Sequence, residues 1–137
     1  MIASIKEIAD NIFEEIVNIR RHLHMNPELS FNEYETSSYI KSILSSWNIP
    51  FIDGIADTGI VVLLHGSNPS SRVVALRADI DALPIIEENN VEYCSRKRGV
   101  VHACGHDVHT ASLLGTIKIL DILSANWDGS IKFIFQI

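Results

Sequence analysis

Apolar residues along this chain change their period several times, and each change marks an element. Ile5, Ile8, Ile12, Ile16, Ile19 and Leu23 recur at spacings of three and four, which lays one apolar stripe along a helix over residues 4–24. Asn26-Pro27 stops it, because the residue before a proline is pushed out of the helical region. A second helix is predicted over residues 33–47, with Asn32 or Ser30 as its cap and Tyr39, Ile40, Ile43 and Leu44 facing inward. The period then shortens. Residues 49–52 read as a strand, residues 60–64 as a buried strand after Thr58-Gly59, and residues 73–80 as a third, apolar until it meets Arg77 and Asp79. Gly66-Ser67-Asn68-Pro69-Ser70-Ser71 is a turn. Residues 84–102 show no period. Helical spacing returns over residues 107–125, with Leu113, Leu114, Ile117, Leu120 and Leu123 inward, and residues 131–137 form a last strand. Apolar strands interleaved with helices predict an α/β fold, a layered mixed sheet flanked by helices, in one domain over residues 1–137.

Composition narrows the function classes. Hydrophobic residues make up 47% of the chain and charged residues 20%, a globular balance rather than a disordered one. The net charge is −6 and no basic stripe appears, which argues against nucleic acid as a partner. Arg96-Lys97-Arg98 reads as a solvated loop. No apolar run has the length of a membrane span, and the N-terminus mixes charges early, without a signal-peptide core. A cytoplasmic protein without a membrane partner is the expectation. Cys94 and Cys104 could pair, but a reducing compartment and the His-rich setting of Cys104 argue against it. The chain closes on Phe133-Ile134-Phe135-Gln136-Ile137, where domains usually carry a polar tail. The expectation is a chain cut short, with exposed apolar surface that drives self-association.

Candidate chemistry concentrates in Val101-His102-Ala103-Cys104-Gly105-His106-Asp107-Val108-His109-Thr110. A thiol, imidazoles and a carboxylate crowded together suit a divalent metal: a soft thiolate, borderline imidazoles and a carboxylate to orient them. Cys104 and His106 sit two apart, and Gly105 between them permits unusual dihedrals, so both could bend toward one ion. The bland alternative is a set of ordinary structural residues. Two donors do not fill a tetrahedral shell, so further ligands must come from elsewhere. A second group, Arg77-Ala78-Asp79-Ile80-Asp81, lies where a buried strand exits, the usual place for ligands in α/β sheets. Here the bland reading is an Arg77–Asp79 ion pair with Asp81 in a turn. Beside a metal, one carboxylate could orient a ligating imidazole and the other could ligate.

Three stretches in order now carry a resemblance: Arg20-Arg21-His22-Leu23-His24-Met25-Asn26-Pro27-Glu28-Leu29-Ser30-Phe31, then Leu76-Arg77-Ala78-Asp79-Ile80-Asp81-Ala82-Leu83-Pro84-Ile85, then His102 to Thr110. The chain resembles the zinc-type metallopeptidase family of aminoacylases, carboxypeptidases and N-acyl-amino-acid amidohydrolases, in the subgroup of hippurate hydrolases and indole-acetyl-amino-acid hydrolases. The resemblance implies the N-terminal portion of a zinc-peptidase-like catalytic domain. It implies that Cys104 and His106 are metal ligands and that Asp81 assists a catalytic glutamate. Asp79 stands where other subgroups have a ligating His, and Asp107 and His109 are expected behind the ligands rather than on the metal. His22, His24 and His65 are expected to be structural, and the first stretch is a marker without assigned chemistry. The implied cofactor is a divalent metal, zinc first, with manganese, cobalt or nickel as alternatives. The implied substrate is an N-acylated amino acid or small peptide.

In this family a Glu-Glu pair follows the strand corresponding to residues 133–137, supplying the general base and a ligand. Two further His ligands and a lid domain that mediates homodimerisation come later. The 137 residues are therefore expected to be inactive and to bind metal weakly. Two competing readings stand beside this one. The first is a non-catalytic metal module closed by Cys104, His106, His109 and Asp79. The second is a thiol hydrolase with Cys104 as nucleophile. A zinc deaminase lacks its paired-cysteine segment here.

Overall fold

A computed structural model describes all 137 residues. In chain order the elements are α1 (Ile2–Met25), α2 (Tyr34–Ser46), β1 (Ile52–Ile55), β2 (Gly59–His65), β3 (Val73–Asp79), α3 (His106–Ile122) and β4 (Ser130–Gln136), with one 3-10 turn at Ser124–Asn126. The sheet order is β1-β2-β4-β3. β1 with β2 and β2 with β4 are antiparallel, whereas β3 runs parallel to β4. The sheet is mixed and the fold is α/β, as the interleaved pattern predicts. No helix is long and apolar enough to cross a membrane.

Register decides which side chains meet. Ile60 faces Phe135, Val62 faces Phe133 and Leu64 faces Ile131, so these six share one face of the sheet. Most of them are buried under Ile19 and Leu23 of α1, Ile40 and Leu44 of α2, and Leu113, Leu114 and Ile117 of α3, in a single core. The opposite face carries Leu63 and Lys132, both exposed. Burial on both faces, expected from the apolar runs, is not found: the helices cover one face only. Cover also thins toward the sheet edge at β3, where Val73 is 65% and Val74 44% exposed.

Two further expectations are corrected. The strand expected at residues 49–52 starts only at Ile52, where pairing with Val61 begins. Ile49 is instead a core residue of the turn after α2, its N–H bonded to Leu44 O at 2.9 Å beside a left-handed Asn48. Neither Asn32 nor Ser30 caps α2. The cap is the buried Glu28 carboxylate, which accepts the Thr36 N–H at 2.6 Å and the Thr36 hydroxyl at 2.7 Å. A carboxylate at a helix N-terminus is favoured by the dipole and satisfies an orphan donor.

Candidate metal-binding and catalytic site

The site forms where β3 ends and α3 begins. Ile80 N–H extends the sheet by donating to Gln136 O at 2.8 Å, and the Thr110 hydroxyl of α3 donates to Asp79 O at 3.0 Å. These bonds fix the strand exit against the first turn of α3. Gly105 precedes that turn with φ +82. A side chain there would meet nothing within 4 Å, so the glycine serves the left-handed backbone alone.

His106 is thereby set between two carboxylates. Its Nδ1 lies 2.8 Å from Asp81 Oδ1 and 3.0 Å from the Asp81 carbonyl oxygen. Its Nε2 lies 3.8 Å from Asp79 Oδ2. Asp79 also pairs with Arg77, as the bland reading expects. Burial pushes the Asp81 carboxyl up, but hydrogen bonds from Ser30 and His106 outweigh it and leave the group below the ordinary carboxylate range. Asp81 is therefore an anion at neutral pH, an acceptor only.

The other predicted residues divide. Cys104 is an exposed free thiol, as Cys94 is a free thiol. The His109 ring lies 5.9 Å from the His106 ring. Asp107 faces elsewhere. It is 1% exposed, and its Oδ2 receives Arg20 Nε at 2.9 Å and meets His24 Nδ1 at 2.7 Å. The structure thus unites Asp79, Asp81 and His106, with His109 near, and gives Asp107 to the contact with α1. No group of three or more His, Cys, Asp and Glu side chains is arranged to hold a metal ion.

Several residues near the site have surroundings that the sequence does not announce. The Ser30 hydroxyl donates to Asp81 Oδ2 at 2.6 Å. His24 uses its second nitrogen on Glu87 Oε1 at 2.8 Å, and Glu87 also accepts the Ser95 N–H. His102 is 5% exposed and neither ring nitrogen has a partner. Burial, against the pull of Asp107 and with the push of His24 and His106, lowers its pKa to about 4, so the ring is neutral at physiological pH. Beside it, Arg20, His24, Glu87 and Asn89 line a cavity of about 580 Å³. The Ser30–Asp81 and His24–Glu87 contacts span 51 and 63 residues in sequence, and no local spacing announces them.

Known proteins share this arrangement of elements. Residues 75–137 match peptidase family M20/M25/M40. The chain is 46% identical over 132 residues to an N-acyl-L-amino acid amidohydrolase of Geobacillus stearothermophilus, covering 96% of this chain and 35% of that protein. It is 44% identical over 131 residues to an N-acetylcysteine deacetylase of Bacillus subtilis, covering 94% of this chain and 34% of that protein. Among solved structures it is similar to the Bacillus subtilis YXEP protein, a dinuclear metal binding peptidase, with TM-score 0.87 and 42% identity over 92% of this chain and 35% of that one. The chain spans about a third of the length of the curated relatives it matches.

Proposed function

From a chain that belongs to peptidase family M20/M25/M40, we propose the N-terminal part of the catalytic domain of a metal-dependent amidohydrolase. Its substrates are N-acyl-amino acids or small peptides with a free carboxylate. The observation that carries this reading is the Asp81–His106 pair at 2.8 Å. A carboxylate on Nδ1 fixes the tautomer whose Nε2 lone pair is free to ligate, the arrangement found behind metal-bound imidazoles.

The donors fit a borderline ion in kind: a thiol at Cys104, an imidazole at His106 and a carboxylate behind it. Cys104 and His106 would hold the metal. Asp81 would steer the imidazole and assist a glutamate base. Asp79, partly neutralised by Arg77, would balance charge at Nε2. An ion held there supplies Lewis acidity toward the amide carbonyl and the attacking water. Zinc suits the thiolate–imidazole set best, with manganese, cobalt or nickel as substitutes. The base and remaining ligands would come from outside residues 1–137, and these residues alone would hydrolyse nothing measurable. In the whole enzyme a lid domain would pair two subunits.

Cobalt(II) titration of the complete enzyme tests this reading. The expected spectrum contains a thiolate-to-metal absorption that Cys104→Ser abolishes. A band that survives in Cys104→Ser removes the thiol from the site. In the complete enzyme, hydrolysis of N-acetyl amino acids should stop with a chelator. Hydrolysis that resists the chelator but dies on thiol alkylation would point to Cys104 as a nucleophile instead.

A further inference from the structure

The stretch Asn26-Pro27-Glu28-Leu29-Ser30-Phe31 lies beside the strand exit. Leu29 forms a parallel bridge with Ala82, and the Ala82 N–H donates to Glu28 O at 2.7 Å. Ser30 is therefore held next to Asp81, 51 residues away in sequence, and its hydroxyl donates at 2.6 Å to Asp81 Oδ2. The other carboxylate oxygen, Oδ1, meets His106 Nδ1 at 2.8 Å. With each oxygen engaged by a different group, the carboxylate cannot turn without losing one bond.

The frame around Ser30 is rigid. Glu28 is tied to the first turn of α2 through both Thr36 donors. Phe31 sits at φ +66, a left-handed conformation unfavourable for a bulky residue. It is held there by the fully buried Glu33, which accepts the Phe31 N–H at 3.0 Å and the Thr58 hydroxyl at 3.1 Å. A strained residue persists only where its surroundings over-determine it.

His106 has a choice that this frame decides. Asp81 faces Nδ1 and Asp79 faces Nε2, so each carboxylate favours a different tautomer. Only the tautomer protonated on Nδ1 leaves Nε2 free as a donor to a metal.

We propose that Ser30 is a positioning residue: by fixing the Asp81 carboxylate, it selects the His106 tautomer protonated on Nδ1. As a statement about metal binding, this rests on the amidohydrolase reading above. As a statement about the ring, it does not.

The test is made on the metal-free full chain, by nitrogen NMR of the His106 ring at a pH where the ring is neutral. In the unsubstituted protein the Nδ1-protonated form should dominate. Ser30→Ala should shift the tautomer ratio toward Nε2–H by roughly fivefold, the weight of one ordinary hydrogen bond. Ser30→Thr should restore it, and thermal melting should show the fold retained in both. If Ser30→Ala fails to fold, Ser30→Cys, a weak donor of similar size, carries the same measurement. A ratio unchanged in Ser30→Ala, or in Ser30→Cys, overturns the proposal. A ratio that shifts as expected in this chain, while the complete enzyme binds no cobalt, supports this proposal and sinks the hydrolase reading.

Discussion

Asp107 Oδ2 and His24 Nδ1 lie 2.7 Å apart, 83 residues distant in sequence, with both side chains almost wholly buried. The second His24 nitrogen faces Glu87 at 2.8 Å. Both contacts are satisfied together when both ring nitrogens carry hydrogens. An imidazole set between two carboxylates, with Arg20 beside them, ties α1 to α3 and to the long connection over residues 84–102. Asp107→Ala should therefore destabilise the protein by about 3 kcal/mol, because it leaves buried partners uncompensated. Urea unfolding measures it. A loss within about 0.5 kcal/mol, the range of a surface change, would mean the network carries no stability.

Glu87 makes the same network sensitive to acid. Burial raises its pKa, but hydrogen bonds from His24, the Ser95 N–H and Asn89 outweigh burial and hold it below the ordinary 4.5. In the unfolded chain the group binds a proton first as pH falls. Its stabilising contribution is thus complete above pH 4.5 and is lost as pH drops from there through the lower folded value. Unfolding free energies followed into acid should fall more gently in Glu87→Gln. Equal slopes in the two proteins contradict this account.

Metal affinity should depend on a residue that never touches the metal. Replacing the carboxylate behind a ligating histidine costs roughly 10- to 100-fold in affinity. In the complete enzyme, Asp81→Asn should show that loss in competition with a chromophoric chelator. Affinity equal to that of the unsubstituted protein would place Asp81 outside the site.

The β3 edge should drive association. Its backbone pairs only with β4, and Val73, Val74 and Leu76 are exposed by 65%, 44% and 37%. A bare apolar edge is a template for another strand. Sedimentation at rising concentration should show oligomers that Val74→Lys reverses. A monomer at every concentration counts against this.

Periodicity made α1, β2, β3 and α3 legible, because each has a long apolar run whose period local geometry dictates. It failed at residues 49–52, since Ile49 and Phe51 are as apolar as strand residues but the strand begins where a distant partner, Val61, is met. The meeting of Asp81 with His106 was legible in part, from a carboxylate at a strand exit and donors crowded before the next helix. Ser30 was misread as a helix cap. A hydroxyl near a helix start fits that role locally, and only the Leu29–Ala82 bridge reveals that it serves Asp81 instead. Asp107 was expected behind the metal ligands, yet it serves the Arg20–His24 contact, which no spacing encodes.

The order of the sheet also governs how it can be assembled. β4 lies between β2 and β3, yet follows both in sequence. While the chain is being synthesised, β2 and β3 have no shared neighbour until residues 130–136 emerge, and the helices carry apolar stripes with no finished surface to settle on. β3 has no partner but β4, so the sheet closes only through long-range pairings of the kind that slow folding.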